Sequence, residues 1–232
     1  MMLILLFISL IPIILLGIYI YKKDSVKEPK SLLLGLFSSG FLASFLVIII
    51  NVLMTLLIPH LYLSDNYSKF NFIELFFLIF IEIALVEEFA KWIMIRFIGY
   101  NHKDFDQLYD IIVYSTFVAL GFAAIENIFY VIQGGFTLGI YRAIFSVPGH
   151  VAFGVFMGYY LGLAKILENK NKTKHNIYMV LSVIVPAILH TIYNFCLMIE
   201  TFWFLIIFIG FIIILYVSAA KEIEKVSKID KF

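Results

Sequence analysis

The 232-residue chain is 63% hydrophobic and 14% charged, with about 146 apolar positions and a mean hydropathy of +1.03. A soluble domain runs nearer half apolar and a quarter charged, so an ordinary soluble enzyme is excluded. Seventeen Lys and Arg against 16 Asp and Glu leave a net charge of +1, which offers no basic field for nucleic acid, and the single cysteine, Cys196, excludes a disulfide framework or a multi-thiolate metal site.

In chain order, apolar runs bounded by charges or turn residues predict seven membrane-spanning helices, each needing ~20 residues. They cover Met2 to Tyr21, Leu32 to Ile58, Phe72 to Ile98, Ile111 to Ile132, Ser146 to Leu167, Ile177 to Ile199 and Phe202 to Ala220. No basic residues precede the first run and no small-residue cleavage site follows it, so it reads as an anchor rather than a signal peptide. Fourteen of the 17 Lys and Arg fall in loops one, three and five and in the tail; Lys69 and Arg142 fall in the opposite loops, and Lys91 lies inside a span. Because short cytoplasmic loops retain basic residues, the N-terminus is expected outside and the C-terminus in the cytoplasm. The expected fold is an all-α polytopic helix bundle: one transmembrane domain over residues 1–232, ending in a short basic cytoplasmic tail at 221–232. No internal repeat, linker or low-complexity tract interrupts it.

The polar residues inside these spans carry the functional signal, since a charge at the bilayer centre costs ~2.5–3.5 kcal/mol even on the lenient insertion scale. Segment three contains Glu87, Glu88 and Lys91, at i,i+4 and i,i+3 spacing, so the ammonium can reach either carboxylate. Segment four adds Glu126 and Asn127, segment five His150, and segment six His190 and Asn194, four apart on one helix face. Taken singly, a buried His or Asn is most often interhelical glue, Glu74 and Glu82 fit an outer interface, and Gly154, Gly158 and Gly162 form a small-residue row for close packing. Taken together, three glutamates against one lysine leave an excess charge that a structural ion pair would not leave in hydrocarbon. A shared proton, a protonated histidine or a bound metal ion can neutralise it, and each is also a way to activate water. No HExxH is present, which excludes a zincin-type site, while Glu and His side chains remain compatible with zinc.

At these residues the sequence resembles the PrsW family of membrane proteases. Glu87-Glu88-Phe89-Ala90-Lys91-Trp92 is similar to the family's EExxKW, and Asp104 to Asn127, Arg142 to Lys165 and Val185 to Phe195 are similar to its second, third and fourth blocks. Lys23-Asp24 through Glu28-Pro29 has the family's KD…EP appearance, and Asn194 stands where some members carry Asp. The family is similar in turn to the CPBP and CAAX prenyl protease group. The resemblance implies a bacterial cell-membrane endopeptidase making the first cut in a single-pass anti-sigma factor, which frees an extracytoplasmic-function sigma factor during envelope stress. It implies Glu87 and His150 as the water-activating pair, His190 and Asn194 at the oxyanion, and Glu88, Lys91, Glu126 and Asn127 as orienting groups. No cofactor is demanded, although a divalent metal such as zinc suits the donor set. The alternatives are a CPBP-like protease with another peptide substrate, an ion or proton transporter, and a sensor without catalysis. Transport predicts repeats and a continuous polar path, whereas these residues concentrate on segments three to six.

Overall fold

A computed structural model describes residues 2–57 and 69–228, with side chains from residue 10 onward. Ile58, the end of the second expected run, and residues 229–232 of the expected tail lie outside the described residues. The helices are α1 (Met2–Lys23), α2 (Lys30–Leu57), α3 (Phe72–Leu78), α4 (Leu85–Ile98), α5 (Asp110–Tyr141), α6 (Val147–Leu167), α7 (Lys172–Met198) and α8 (Phe202–Val226). A π-helical turn, Ile79–Ala84, joins α3 to α4, and a second, Arg142–Ser146, joins α5 to α6. Each apolar run thus corresponds to one helical rod. Among the described residues, four stretches are long and apolar enough to cross a membrane: Lys30–Leu57, Asp110–Leu167, Lys172–Met198 and Phe202–Val226. Helix α8 runs to Val226, so the first half of the expected tail continues a helix.

The bundle is inverted relative to a soluble protein. Leu34, Leu42, Leu56 and Ile214 are exposed, while Glu88, Lys91 and Asn127 are buried. An apolar exterior with self-satisfied helical backbones suits lipid, and ionisable groups turn inward.

Helix α5 is the hub, packing against α1, α2 and α6, with α7 behind α6. Gly40 of α2 lies so close to α5 that an added Cβ would sit 2.6 Å from the Phe122 amide nitrogen. On α6, a Cβ at Gly154 would sit 3.1 Å from the Ser115 carbonyl, and one at Gly158 2.7 Å from that of Ile111. The small-residue row therefore does what its spacing suggests, letting two backbones touch. The Ser115 hydroxyl adds a bond across the seam to the Gly154 carbonyl at 2.7 Å.

Local sequence explains the ends. The Asn71 side chain accepts from the amides of Ile73 and Glu74 while the Glu74 carboxylate accepts from the Asn71 amide, a capping box that opens α3 and accounts for Glu74 structurally. Asn171 caps α7 by accepting from the Lys174 amide. Within α5, Gly135 adopts φ 68° and ψ −154°, a conformation open essentially to glycine alone. The chain reverses there.

Candidate active site

Four rods deliver the polar residues to one place. The π turn Ile79–Ala84 immediately precedes the helix that carries Glu87, Glu88 and Lys91, and the π turn Arg142–Ser146 immediately precedes the helix that carries His150. Such turns shift the helical register and recur at functional sites. Trp92 ties α4 to α7 by donating from Nε1 to the Ser182 hydroxyl at 2.9 Å, which fixes the rotation of the glutamates toward His190.

The contacts form one chain of charges. Lys91 Nζ lies 2.8 Å from Glu88 Oε1 and 3.7 Å from Glu87 Oε2, and donates to His150 Nδ1 at 3.2 Å. With Nδ1 accepting, the Nε2–H of His150 donates to Glu126 Oε2 at 2.7 Å. His190 Nδ1 donates to Glu88 Oε1 at 3.0 Å and stands 4.0 Å from Glu87 Oε2. Lys91 also sits over the Phe122 ring at 4.0 Å, and Phe153 stacks on His190 with centroids 4.8 Å apart. Lys91, Glu88 and Asn127 are at most 1% exposed, so these interactions act in a poorly screened medium.

Arg142 is the functional candidate that sequence reading left in a loop. Its Nη2 meets Glu126 Oε2 at 2.9 Å and its Nε donates to Asn127 Oδ1 at 2.8 Å. On a straight helix, residues this far apart in sequence would be roughly 24 Å apart at 1.5 Å per residue. The reversal at Gly135 folds Arg142 back onto its own helix. The charge excess counted from three glutamates and one lysine is therefore halved.

A cavity of about 600 Å³ opens beside this chain, with Glu87, Glu126, His150, His190, Asn194 and Arg142 in its wall. Tyr130, Tyr141, Phe145 and Phe208 supply apolar wall, so an extended peptide with apolar side chains fits its chemistry. The expected residues are thus gathered, with one distinction. Glu87 faces the cavity, whereas Glu88 is wholly buried behind it with Oε1 shared by Lys91 and His190. Ser146 also lines the cavity, but both ring nitrogens of His150 are engaged by Lys91 and Glu126, which leaves no base for a serine nucleophile there. Cys196 is buried and unpaired.

Metal binding passes a chemical test. Glu87, Glu88 and His150 offer ligand atoms that all lie within 4.8 Å of one another, and Glu87 Oε2 and Glu88 Oε2 are buried without a hydrogen-bond partner. Two carboxylates and an imidazole are a zinc-compatible donor set. The Lys91 ammonium, 2.8 Å from Glu88 Oε1, competes for the same charge.

An apolar-surfaced helix bundle holding a buried Glu/His/Lys cluster against a peptide-sized cavity defines a multi-pass membrane hydrolase. Comparison with known proteins narrows the class: residues 28–219 match the model of the PrsW family of intramembrane metalloproteases. The chain is 37% identical over 219 residues to Protease PrsW of Oceanobacillus iheyensis, covering 94% of this chain and 93% of that one. It is 36% identical to Protease PrsW of Clostridioides difficile, with 94% and 89% covered, and 34% identical to that of Bacillus subtilis, with 80% and 78% covered. No solved structure matches. The chain belongs to the PrsW family and is an intramembrane peptidase.

Proposed function

We propose that this peptidase makes the first cut in a single-pass anti-sigma factor, near the outer boundary of the bilayer, and so releases an extracytoplasmic-function sigma factor. In this reading all seven rods cross the bacterial cell membrane, with the N-terminus outside and the C-terminus inside, as the basic-residue bias directs. One observation carries the catalytic reading: Glu87 Oε2 is buried, lacks a hydrogen-bond partner, and sits in the cavity wall 4.0 Å from His190.

In the reaction, Glu87 takes a proton from water as the water oxygen attacks the scissile carbonyl carbon, then delivers that proton to the departing amine nitrogen. General acid–base work of this kind contributes ~10²–10⁴-fold. His190, held through Nδ1 by Glu88, and the amide of Asn194 on the same face donate to the developing oxyanion. Lys91 pairs with Glu88 and ties it to His150. Arg142 and His150 together hold Glu126, and Asn127 holds Arg142. A divalent metal such as zinc would be held by Glu87, Glu88 and His150 and would supply Lewis-acid polarisation of water and carbonyl.

The test co-expresses the protein with a tagged single-pass anti-sigma factor and follows fragment size on a gel. Cleavage is expected with wild type and Cys196→Ala and is expected to vanish with Glu87→Gln and His190→Ala at equal protein levels. Cleavage surviving both cluster variants would sink the mechanism. Cleavage of an unrelated peptide but never of anti-sigma factors would leave the chemistry standing and replace the substrate with that of a CPBP-like enzyme.

A further inference from the structure

A second group of carboxylates lies far from the catalytic cavity. Loop one, between α1 and α2, carries Asp24 and Glu28, and α5 begins at Asp110. Ligand oxygens of these three all lie within 4.8 Å of one another, and the residues are 3%, 5% and 1% exposed. Three carboxylates at that range repel strongly in a poorly hydrated site, so something must neutralise them.

The neighbouring cation, Lys27, forms no hydrogen bond to any of the three carboxylates. Lys27 turns its ammonium to backbone carbonyls of Tyr21 at 2.8 Å, Lys22 at 3.1 Å and Asp24. Asp110 Oδ2 accepts from the amides of Asp106 and Gln107, and Asp24 Oδ1 accepts from that of Val26. Those bonds aim the carboxylates and leave Asp24 Oδ2 and Glu28 Oε2 buried without a hydrogen-bond partner. A buried acceptor without a donor costs free energy unless a cation or proton meets it.

We infer that Asp24, Glu28 and Asp110 form a binding site for a hard divalent cation that clamps loop one to the start of α5. All three donors are carboxylate oxygens, with no sulfur or imidazole among them, which suits Mg²⁺, Ca²⁺ or Mn²⁺ rather than zinc. The clamp has a mechanical partner in the Ser25 hydroxyl of loop one, which donates to Gln107 Oε1, just before α5, at 3.0 Å. Its effect is to pin the ends of α1, α2 and α5, the hub on which the positioning residues Glu126 and Asn127 ride.

The test uses the full chain in detergent micelles in a Glu87→Gln background, which weakens the catalytic cluster as a competing site. Terbium, a Ca²⁺ surrogate, is titrated and its emission read under tyrosine excitation, because the Tyr114 phenol stands beside Glu28. Expected are about one ion per chain, displacement by Mg²⁺, Ca²⁺ or Mn²⁺, a rise in melting temperature with those ions, and dimmer emission at unchanged affinity in Tyr114→Phe. Glu28→Gln and Asp24→Asn should each weaken binding at least about tenfold. No bound ion, or equal affinity in whichever carboxamide variant folds, overturns the inference. So does a melting temperature indifferent to cations with Glu28→Gln more stable than its parent, since protons would then neutralise the cluster.

Discussion

Lys91→Met isolates what the buried lysine does, since methionine keeps the stem and removes the charge. In the protein the ammonium lies 2.8 Å from Glu88 Oε1, 3.7 Å from Glu87 Oε2 and 4.0 Å above the Phe122 ring. At 2.8 Å and an effective dielectric of ~20, the first pair alone attracts by about 6 kcal/mol. Much of that attraction only offsets the desolvation of both charges, so the pair is worth far less than its Coulomb energy. Removing one partner is different, because Glu88 then stays buried with no lysine or arginine in ion-pair range among the described residues. That situation costs ~3–5 kcal/mol, a large part of the ~5–15 kcal/mol by which proteins are stable. Equilibrium unfolding in mixed micelles, followed by circular dichroism, measures it. The double variant Lys91→Met/Glu88→Gln should recover much of the loss, because Glu88, the nearer of the two carboxylates that Lys91 balances, then carries no charge. Lys165→Met is the contrast, since its pair with Glu168 is 25% and 34% exposed and should matter by less than ~1 kcal/mol. A Lys91→Met loss below ~1 kcal/mol, or a double variant no better than the single, refutes the reasoning.

Arg142→Gln removes the fork that holds Glu126 and Asn127, and should slow cleavage by about tenfold or more through kcat with KM little changed, a charge-assisted bond being worth ~1.5–3 kcal/mol; a pure KM effect would show that Arg142 only binds substrate. Gly158→Ala places a methyl 2.7 Å from the Ile111 carbonyl and should destabilise the α5–α6 seam by ~1–3 kcal/mol, more than Gly154→Ala at 3.1 Å, with melting temperature as the readout; equal effects would mean the helices separate freely. Tyr100, in the turn after α4, has its phenol pushed up to about 12 by burial and then by Glu168, against the ordinary 10. The folded state therefore favours the protonated phenol. Its contribution to stability is full below pH 10 and is lost as pH rises from 10 to about 12. Tyr100→Phe should flatten that fall, and an unchanged slope would assign it elsewhere.

What was legible in the sequence followed from local rules. Apolar runs locate helical rods because lipid demands them, and i,i+3 or i,i+4 spacing foretells Lys91 meeting Glu88 and His190 sharing a face with Asn194. The EExxKW stretch picks out the helix turn whose side chains meet His150 and His190. What escaped needed long-range information. Gly134-Gly135 reads as a breaker, yet nothing local says that the reversal carries Arg142 back to Glu126. The π turns at Ile79–Ala84 and Arg142–Ser146 have no sequence signature of their own, and they set which faces of α4 and α6 look inward. Asp24, Glu28 and Asp110 each look like a solvated loop or helix-end acid until loop one meets the start of α5.

Under the proposed mechanism, the adjacent glutamates divide support and chemistry along one helix. Neighbouring residues on an α-helix point about 100° apart, from 3.6 residues per turn. Glu88 therefore looks across to His190 of α7 with Lys91 of its own helix beside it, while Glu87 looks along the cavity and keeps an oxygen without a hydrogen-bond partner. A carboxylate saturated by donors is held in its charged form and makes a poor base; one left short of donors gains most from accepting a proton. Trp92 fixes the rotation that gives each glutamate its surroundings, since its bond to Ser182 locks α4 against α7 four residues after Glu88. In the proposed mechanism the EExxKW spacing is a geometric unit: one glutamate to react, one to anchor a histidine, a lysine to balance the anchor and a tryptophan to hold the register.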